Sequence, residues 1–326
     1  MVVAVDAMGG DNAPFEIVKG AVAAINEMND IKVILVGKSE TFLNQLSEMS
    51  YNKEALEIVE ASEVIGTDET PANAVRRKKD SSIVKGLNLV KNGEADAFVS
   101  AGSTGAILLG ATVIIGRLDG VLRPALGTAI PGEHGITLLM DSGANVDCKP
   151  IYLEQFAKLA SVYVENVMGI KNPKVGLVNI GTEEEKGNML TKEAYTLLKE
   201  SNVNFIGNIE PREITSGDVD VAICDGFLGN SMLKLIEGVS KTLLSIIKTE
   251  ITSGAYKIAA AMLKKPFKKV KMRFDSEEVG GAPFLGLKAL VVKAHGNSKE
   301  KAIKNAIKQC KVFVKNDIVS KTKEKL

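Results

Sequence analysis

The chain contains no tryptophan, and only five tyrosines, three cysteines and two histidines. Without aromatic residues interleaved among its basic ones, it offers no stacking platform for nucleic-acid bases. His134 and His295 show no Ser-His-Asp spacing, so the sequence gives no sign of a hydrolase triad. Cys148, Cys224 and Cys310 lie far apart and form no CxxC pair, which fits free thiols in a reducing cytoplasm better than disulfides or a zinc site. No run approaches the roughly 18 uninterrupted apolar residues of a spanning helix. The opening MVVAVDAMGG lacks the charged leader of a signal peptide. A cytoplasmic protein that can still lie on a membrane surface is expected. Lys+Arg total 41 against 40 Asp+Glu, so net charge decides nothing about partners and local clusters must.

What the chain does have is 326 residues, 45% of them hydrophobic and 25% charged, the balance of a folded globular protein. Short Val/Ile/Leu-rich runs alternate with longer amphipathic ones, which predicts a largely parallel sheet covered by helices. Strands are expected at 2–6, 32–36, 97–100, 136–140, 175–180 and 219–224. Helices are expected at 15–28, 81–91, 104–116, 152–168, 189–200, 230–248 and 299–315. With no repeat and no low-complexity linker, residues 1–326 read as a single interwoven α/β unit, with a helical protrusion at about 232–273.

Five of the strands run into glycine-containing polar turns: DAMGGDNAP, SAGSTGA, DSGANVDCKP, NIGTEEEKGN and CDGFLGNS. Ligands of open α/β sheets sit beyond the carboxyl ends of the strands, where bare turns and helix N-termini approach an anion. One glycine turn alone signifies only a tight bend. Five at one sheet edge point to phosphate or a similar oxyanion. The candidate contacts are Asp6, Gly9 and Gly10 in the first turn and Ser103, Thr104 and Gly105 in the second. Asn145 represents the third, and Gly229 and Ser231 the last.

These turns, together with RRKKDSS at 76–82 and KAHGNS at 293–298, occur in an order that resembles the bacterial phosphate acyltransferases. Those are the acyl carrier protein:phosphate transacylases that start membrane glycerolipid synthesis. Ser103 stands where the family usually has Asn, and keeps a short hydrogen-bonding side chain. The resemblance implies a three-layer α/β/α fold with a mostly parallel mixed sheet, like that of isocitrate and isopropylmalate dehydrogenases and phosphotransacetylase. It further implies a homodimer, acyl carrier protein as the acyl donor, inorganic phosphate as the acceptor, and no cofactor. A membrane glycerol-phosphate acyltransferase is the expected neighbour in the pathway.

Phosphate is already anionic and nucleophilic, so such a reaction asks for positioning, charge compensation and oxyanion stabilisation rather than a strong base. Lys186, after Glu183–Glu185 and before Gly187, is the first candidate for a catalytic cation; a solvated ion-pair cluster is its alternative. Asn230 is the second, as an oxyanion donor, with a simple helix N-cap as alternative. His295 is a candidate phosphate contact or proton donor. Asp6, Asp11, Asp141, Asp147 and Asp225 sit beside the same turns, and capping those turns is preferred over binding a metal. Cys148 beside Asp147 is not expected to be a nucleophile.

Two basic stretches remain. Arg76, Arg77, Lys78 and Lys79 suit docking of acidic acyl carrier protein or phosphate, against the alternative of a solvated helix face. The segment 253–273 intersperses Ile258, Met262, Leu263 and Phe267 with lysines, which suits either an anionic membrane surface or a contact with a twin subunit. The rival functions are a nicotinamide-dependent dehydrogenase of the same fold and a non-catalytic acyl-phosphate binder. SAGSTGA supplies only GxxG where a dinucleotide fingerprint has GxGxxG.

Overall fold

Val3, Ala4 and Val5 are all buried, as are 33–36 and 97–100, which marks strands covered on both faces. The computed structural model describes residues 1–252, 257–274 and 276–325. Its strands are β1 (Val2–Asp6), β2 (Lys32–Gly37), β3 (Leu56–Glu60), β4 (Ala97–Ser100), β5 (Ala125–Leu126) and β6 (Thr128–Pro131). They continue as β7 (Ile136–Met140), β8 (Val175–Val178), β9 (Phe205–Ile209), β10 (Val221–Ile223), β11 (Gly281–Leu285) and β12 (Leu290–Ala294).

Among the described residues these strands form two sheets rather than one. The first has the order β3-β2-β1-β4-β12-β11-β5 and the second β6-β7-β10-β8-β9. In the first, β3, β2, β1, β4 and β12 are parallel, and β11 runs antiparallel to β12 and β5. In the second only β6 is antiparallel. The chain leaves the first sheet at β5 and enters the second at β6, with Gly127 alone between them.

The helices up to the cross-over are α1 (Phe15–Glu27), α2 (Leu43–Ser47), α3 (Pro71–Arg77), α4 (Ser82–Lys91) and α5 (Thr104–Ile114). Beyond it lie α6 (Pro150–Tyr163), α7 (Met189–Glu200), α8 (Gly226–Thr252) and α9 (Lys257–Arg273). The last are α10 (Ser276–Val279), α11 (Glu300–Lys315) and α12 (Ile318–Lys325). Side chains alternate between faces as strand geometry requires. Val3 and Val5 join a core with α1 and α11, whereas Ala4 joins α3, α4 and α5 on the other side. Leu138 and Met140 extend the first core under α6, and Leu139 packs with Met232 at the base of α8. The result is a three-layer α/β arrangement with mixed, mostly parallel sheets and one core running through both.

Two sequence expectations change. The helix expected from residue 230 begins at Gly226, because Asp225 Oδ1 accepts the Leu228 N–H at 2.8 Å and caps it there. Asn230 therefore lies inside the helix and not at its cap. The five glycine turns also divide, two following strands of the first sheet and three following strands of the second. The order of strands within sheets is a long-range property that the local pattern does not carry.

Beyond Met232 no residue of α8 is buried, and Leu235 is 66% exposed. Residues 253–256 of the basic amphipathic segment, and the side chain of Ile258, lie outside the described residues. Within α9, Met262 and Leu263 are exposed and Phe267 is half-buried.

Packing of α4 onto β4 gives a direct check of this architecture. A Cβ at Gly86 would lie 2.2 Å from Cε2 of Phe98, which is fully buried. Gly86→Ala is expected to destabilise by about 1–3 kcal/mol despite the better helix propensity of alanine. A urea unfolding curve whose midpoint does not fall would contradict this packing.

Candidate active site

β1, β4 and β12 are adjacent and parallel, so the turns that follow them meet at one edge. They are fastened to each other. The Asp11 N–H donates to Gly296 O at 2.7 Å, and Asn12 Nδ2 donates to Asn297 O at 2.9 Å. Gly10 has φ +100°, and a Cβ there would lie 2.9 Å from both Ala101 Cβ and Gly296 O. At Gly9 a Cβ would meet Asp6 Oδ2 at 2.4 Å and Gly102 N at 2.7 Å. These two glycines permit turn-on-turn packing directly under the ends of β4 and β12.

The Asp6 carboxylate is buried beneath them. It accepts from Ser100 Oγ at 2.6 Å and from the Met8 N–H at 3.1 Å, while Ser100 Oγ accepts from the Gly102 N–H at 3.0 Å. Burial raises the Asp6 carboxyl above its ordinary value, against the pull of these hydrogen bonds. The bonds shape the 101–103 turn and so aim the start of α5. Ser81 caps α4 and Asn188 caps α7, whereas Ser103 at the head of α5, like the residues that head α1, α3, α6 and α11, makes no side-chain cap hydrogen bond. An uncapped helix N-terminus presents partial positive charge and free N–H groups.

That N-terminus opens into a cleft of about 570 Å³ between the two sheets. Gly102 to Gly105 form one side and Ser142 and Gly143, after β7, another. Leu126, Ile130, Leu233, Ile236 and Phe274 give it apolar walls, and Asn230, Lys234, Glu237, Arg273, Lys293 and His295 supply its polar groups. Asn230 reaches it from α8 opposite Gly143, where a Cβ would lie 3.3 Å from Asn230 Cβ. His295 Nε2 is 3.6 Å from Glu237 Oε2, and its Nδ1 is buried with no partner among the described residues.

Lys293 is the group the sequence reading missed. It is only 9% exposed, yet it lines the cleft. Its Nζ donates to Ala101 O at 3.3 Å and to Ala294 O. Burial pulls its ammonium down to about 8; Asp6 and Asp11 oppose the shift and Lys234 adds to it. The available signal was a lysine at the end of the apolar run LVV, a run not read as a strand.

The second sheet organises its own turns. The Asp141 carboxylate, fully buried, accepts from the N–H groups of Leu126, Gly143, Ala144 and Asn145 and from Asn145 Nδ2 at 2.6–3.2 Å. Burial raises this carboxyl too, with those bonds opposing. Asn145 also donates to Pro124 O at 2.9 Å, so its amide is engaged in holding the turn. A Cβ at Gly229 would sit 2.0 Å from Asp141 O, and only glycine lets α8 approach β7 so closely. Ser231 Oγ donates back to Phe227 O at 2.7 Å. Cys148 is pushed up to about 12, by burial first and by Asp141 and Asp225 next, with Asp147 a smaller contributor than the sequence suggested. Among the described residues no group of three or more His, Cys, Asp or Glu is arranged to hold a metal.

The structure brings Ser103, Thr104, Gly105, Asn230 and His295 together in the cleft, with Asp6, Gly9 and Gly10 directly behind it. It does not bring Lys186 there. That residue lies on the turn after β8, pinned by Asn179 Nδ2 to Lys186 O at 3.1 Å and Asn208 Nδ2 to Glu183 O at 2.8 Å. Its neighbour Glu184 pairs with Lys199 at 3.0 Å. Of the basic run, Arg76, Arg77 and Lys79 are exposed. Lys78 instead turns inward, to Glu69 at 2.6 Å and Val64 O at 2.7 Å. The other end of α3 reaches the cleft rim, where Pro71 Cγ is 2.8 Å from a Cβ position at Gly105.

Solved structures place this architecture in a known fold class. A phosphotransacetylase from Streptococcus pyogenes matches with a TM-score of 0.59 at 17% identity, covering 96% of this chain and 94% of that one. A 4-hydroxythreonine-4-phosphate dehydrogenase from Klebsiella pneumoniae matches with a TM-score of 0.54 at 14% identity, covering 95% and 98%. The fold is thus the one these transacylases and dehydrogenases share. Sequence narrows it: residues 1–321 match the family described as "Fatty acid synthesis protein". The chain is 52% identical over 327 residues to the phosphate acyltransferase of Clostridium acetobutylicum, covering 100% of this chain and 99% of that one. It belongs to the phosphate acyltransferase family.

The depressed Lys293 ammonium has a consequence for stability. As pH rises, the folded state loses this proton near 8 while the unfolded chain keeps it to about 10.5. The unfolded state then binds more protons, so stability rises with pH across that window. Relative to Lys293→Met, the wild-type chain is expected to gain on the order of 2–3 kcal/mol between pH 8 and 10.5. Parallel stability profiles for the two proteins in that window would show that Lys293 is not buried as described.

Proposed function

We propose that this chain is an enzyme that transfers an acyl group from the thioester of acyl carrier protein to inorganic phosphate, forming acyl phosphate for phospholipid synthesis. The observation that carries the reading is the uncapped N-terminus of α5 opening into a cleft with apolar walls. A helix N-terminus suits a phosphate dianion, and the apolar walls suit an acyl chain beside it. The 52% identity to a named phosphate acyltransferase supports the same reaction class.

In this reading phosphate rests on the amides of Ser103, Thr104 and Gly105, and one of its oxygens attacks the thioester carbon. Asn230 donates to the oxyanion that forms, and the thiol leaves as C–S cleavage restores the carbonyl. Lys186 is assigned to charge compensation, from its turn at the end of β8, and His295 to proton donation. Cys148 takes no part, because a thiol held near 12 yields almost no thiolate at neutral pH. Arg76, Arg77 and Lys79 are assigned to meeting the acidic carrier protein. The exposed apolar residues of α8 and α9 are assigned to contact with a twin subunit, an anionic membrane surface, or both. A cytoplasmic, peripherally membrane-associated homodimer handing its product to a membrane acyltransferase follows from these assignments. The fold reading extends to the isocitrate dehydrogenase-like arrangement, supported by the cleft between two sheets.

The dehydrogenase fold likeness gives one competing reading, and it separates cleanly. Incubation with palmitoyl acyl carrier protein and phosphate, followed by hydroxylamine trapping, is expected to give phosphate-dependent hydroxamate and no absorbance change with NAD(P). Asn230→Ala is expected to lower the rate roughly 100- to 1,000-fold. No hydroxamate from the wild-type protein rejects the reaction. Near-normal rates for Asn230→Ala and Lys186→Ala would remove those two assignments and leave the reaction standing.

A further inference from the structure

The chemistry proposed above gives no task to Lys293, the one charged side chain that is buried among the described residues of the cleft. Lysine side chains are almost never fully buried unless something requires them there. Lys293 is buried at the end of β12, and two of its three ammonium protons are directed to Ala101 O, three residues before α5 begins, and to Ala294 O. Those two carbonyls flank the turn that leads into α5 and the turn that carries His295. They fix Nζ at the floor of the cleft and leave its third N–H bond for a ligand. An ammonium kept out of water in this way, with no carboxylate in hydrogen-bonded contact among the described residues, is undercompensated until an anion arrives.

We infer that Lys293 is the phosphate-binding cation of the site, donating its third hydrogen bond to an oxygen of the dianion seated on the α5 N-terminus. The inference rests on the acyl-transfer reading and assigns it a residue that sequence reasoning did not reach. Two positive features then act on one anion: the partial charge of the helix end and a full charge tethered beneath it. Asp6 and Asp11, from β1 and its turn, favour the protonated amine, whereas burial and Lys234 on α8 disfavour it. His295, Glu237 and Arg273 are the other titratable or charged groups among the described residues of the cleft. Asp6 thereby acts as a positioning residue with two effects. It supports the ammonium electrostatically and shapes the amide turn through Ser100.

The role predicts a substrate-selective defect. Lys293→Met, close in length and apolar, is expected to raise KM for phosphate roughly 10- to 100-fold, with KM for acyl carrier protein changed less than twofold. In the wild-type enzyme KM for phosphate is expected to climb as pH passes about 8, where the ammonium is lost. Lys293→Arg, which stays charged, is expected to abolish that climb. Calorimetric titration of inorganic phosphate into each protein reads the same affinities without turnover.

An unchanged phosphate KM in Lys293→Met overturns the inference, as does an equal loss for both substrates, which would mean a structural role only. If neither variant folds, a wild-type phosphate affinity that stays flat from pH 7.5 to 9.5 overturns it alone. Failure of the wild-type protein to form hydroxamate rejects instead the reaction on which the inference stands, so the two failures are distinguishable.

Discussion

The cleft depends on one buried carboxylate. Asp6 lies at the carboxyl end of β1, between the strand it terminates and the turn after β4, and holds Ser100 Oγ at 2.6 Å. Ser100 in turn holds the amide of Gly102, and that bond fixes the direction in which α5 begins. A carboxylate withdrawn from water costs several kcal/mol unless hydrogen bonds replace its hydration. Here one bond comes from Ser100, which leads into the turn that opens the cleft-facing helix end, and another from the Met8 N–H of the turn after β1. The cost of burial is therefore offset by groups whose placement the site requires.

Asp141 repeats the arrangement in the second sheet, where it gathers four backbone amides and the Asn145 side chain. The turn it holds faces Asn230 across Gly143, and the glycine at 229 lets α8 rest on the Asp141 carbonyl. Each sheet thus fixes one wall of the cleft through a buried aspartate at the end of a parallel strand. The walls meet because the chain crosses between sheets at Gly127, where β5 and β6 are separated by a single residue. A site assembled this way is rigid at its polar floor. Part of its apolar lining, Leu233, Ile236 and Phe274, comes from α8 and the residue after α9, where side chains beyond Met232 are no longer buried.

Much of this was legible in the residues. The period-two and continuous apolar runs located β1, β4 and β7 to the residue, and glycine-bearing turns marked the strand ends. Hydrophobic pattern reports burial, and burial on both faces is what a central parallel strand has. What escaped reading has a common physical cause. β5 has two residues, too few for a period to register, and β6, β11 and β12 lie in stretches that glycine, proline or lysine break up. Missing β12 meant missing Lys293, since a lysine reads as surface unless its strand is known to be central. Gly9 and Gly10 were read as approaches to a ligand, whereas their nearest neighbours are the turns they pack against. Asn145, read as a substrate contact, has its amide committed to Pro124 O and Asp141.

The difference between Lys186 and Lys293 shows why a basic residue in a glycine turn is a weaker pointer than a buried one. Lys186 sits in a motif that invites a catalytic role, yet it is exposed on the turn after β8 and shares no wall of the cleft. An exposed ammonium interacts with a distant anion through water and counterions, and the attraction is largely screened beyond about a Debye length. A buried one acts through a low effective dielectric, where the same charge at the same distance is worth several times more. For Lys186 to serve the reaction, its turn must bring it to the thioester when substrate binds. Gly187, with φ +96°, and the tethers from Asn179 and Asn208 define the segment that would have to move. For Lys293 no motion is needed, because the fold has already removed the water and set the ammonium beside the helix end. Of the two, the group that the fold holds in place is the one whose charge, in the proposed reading, the phosphate meets on arrival.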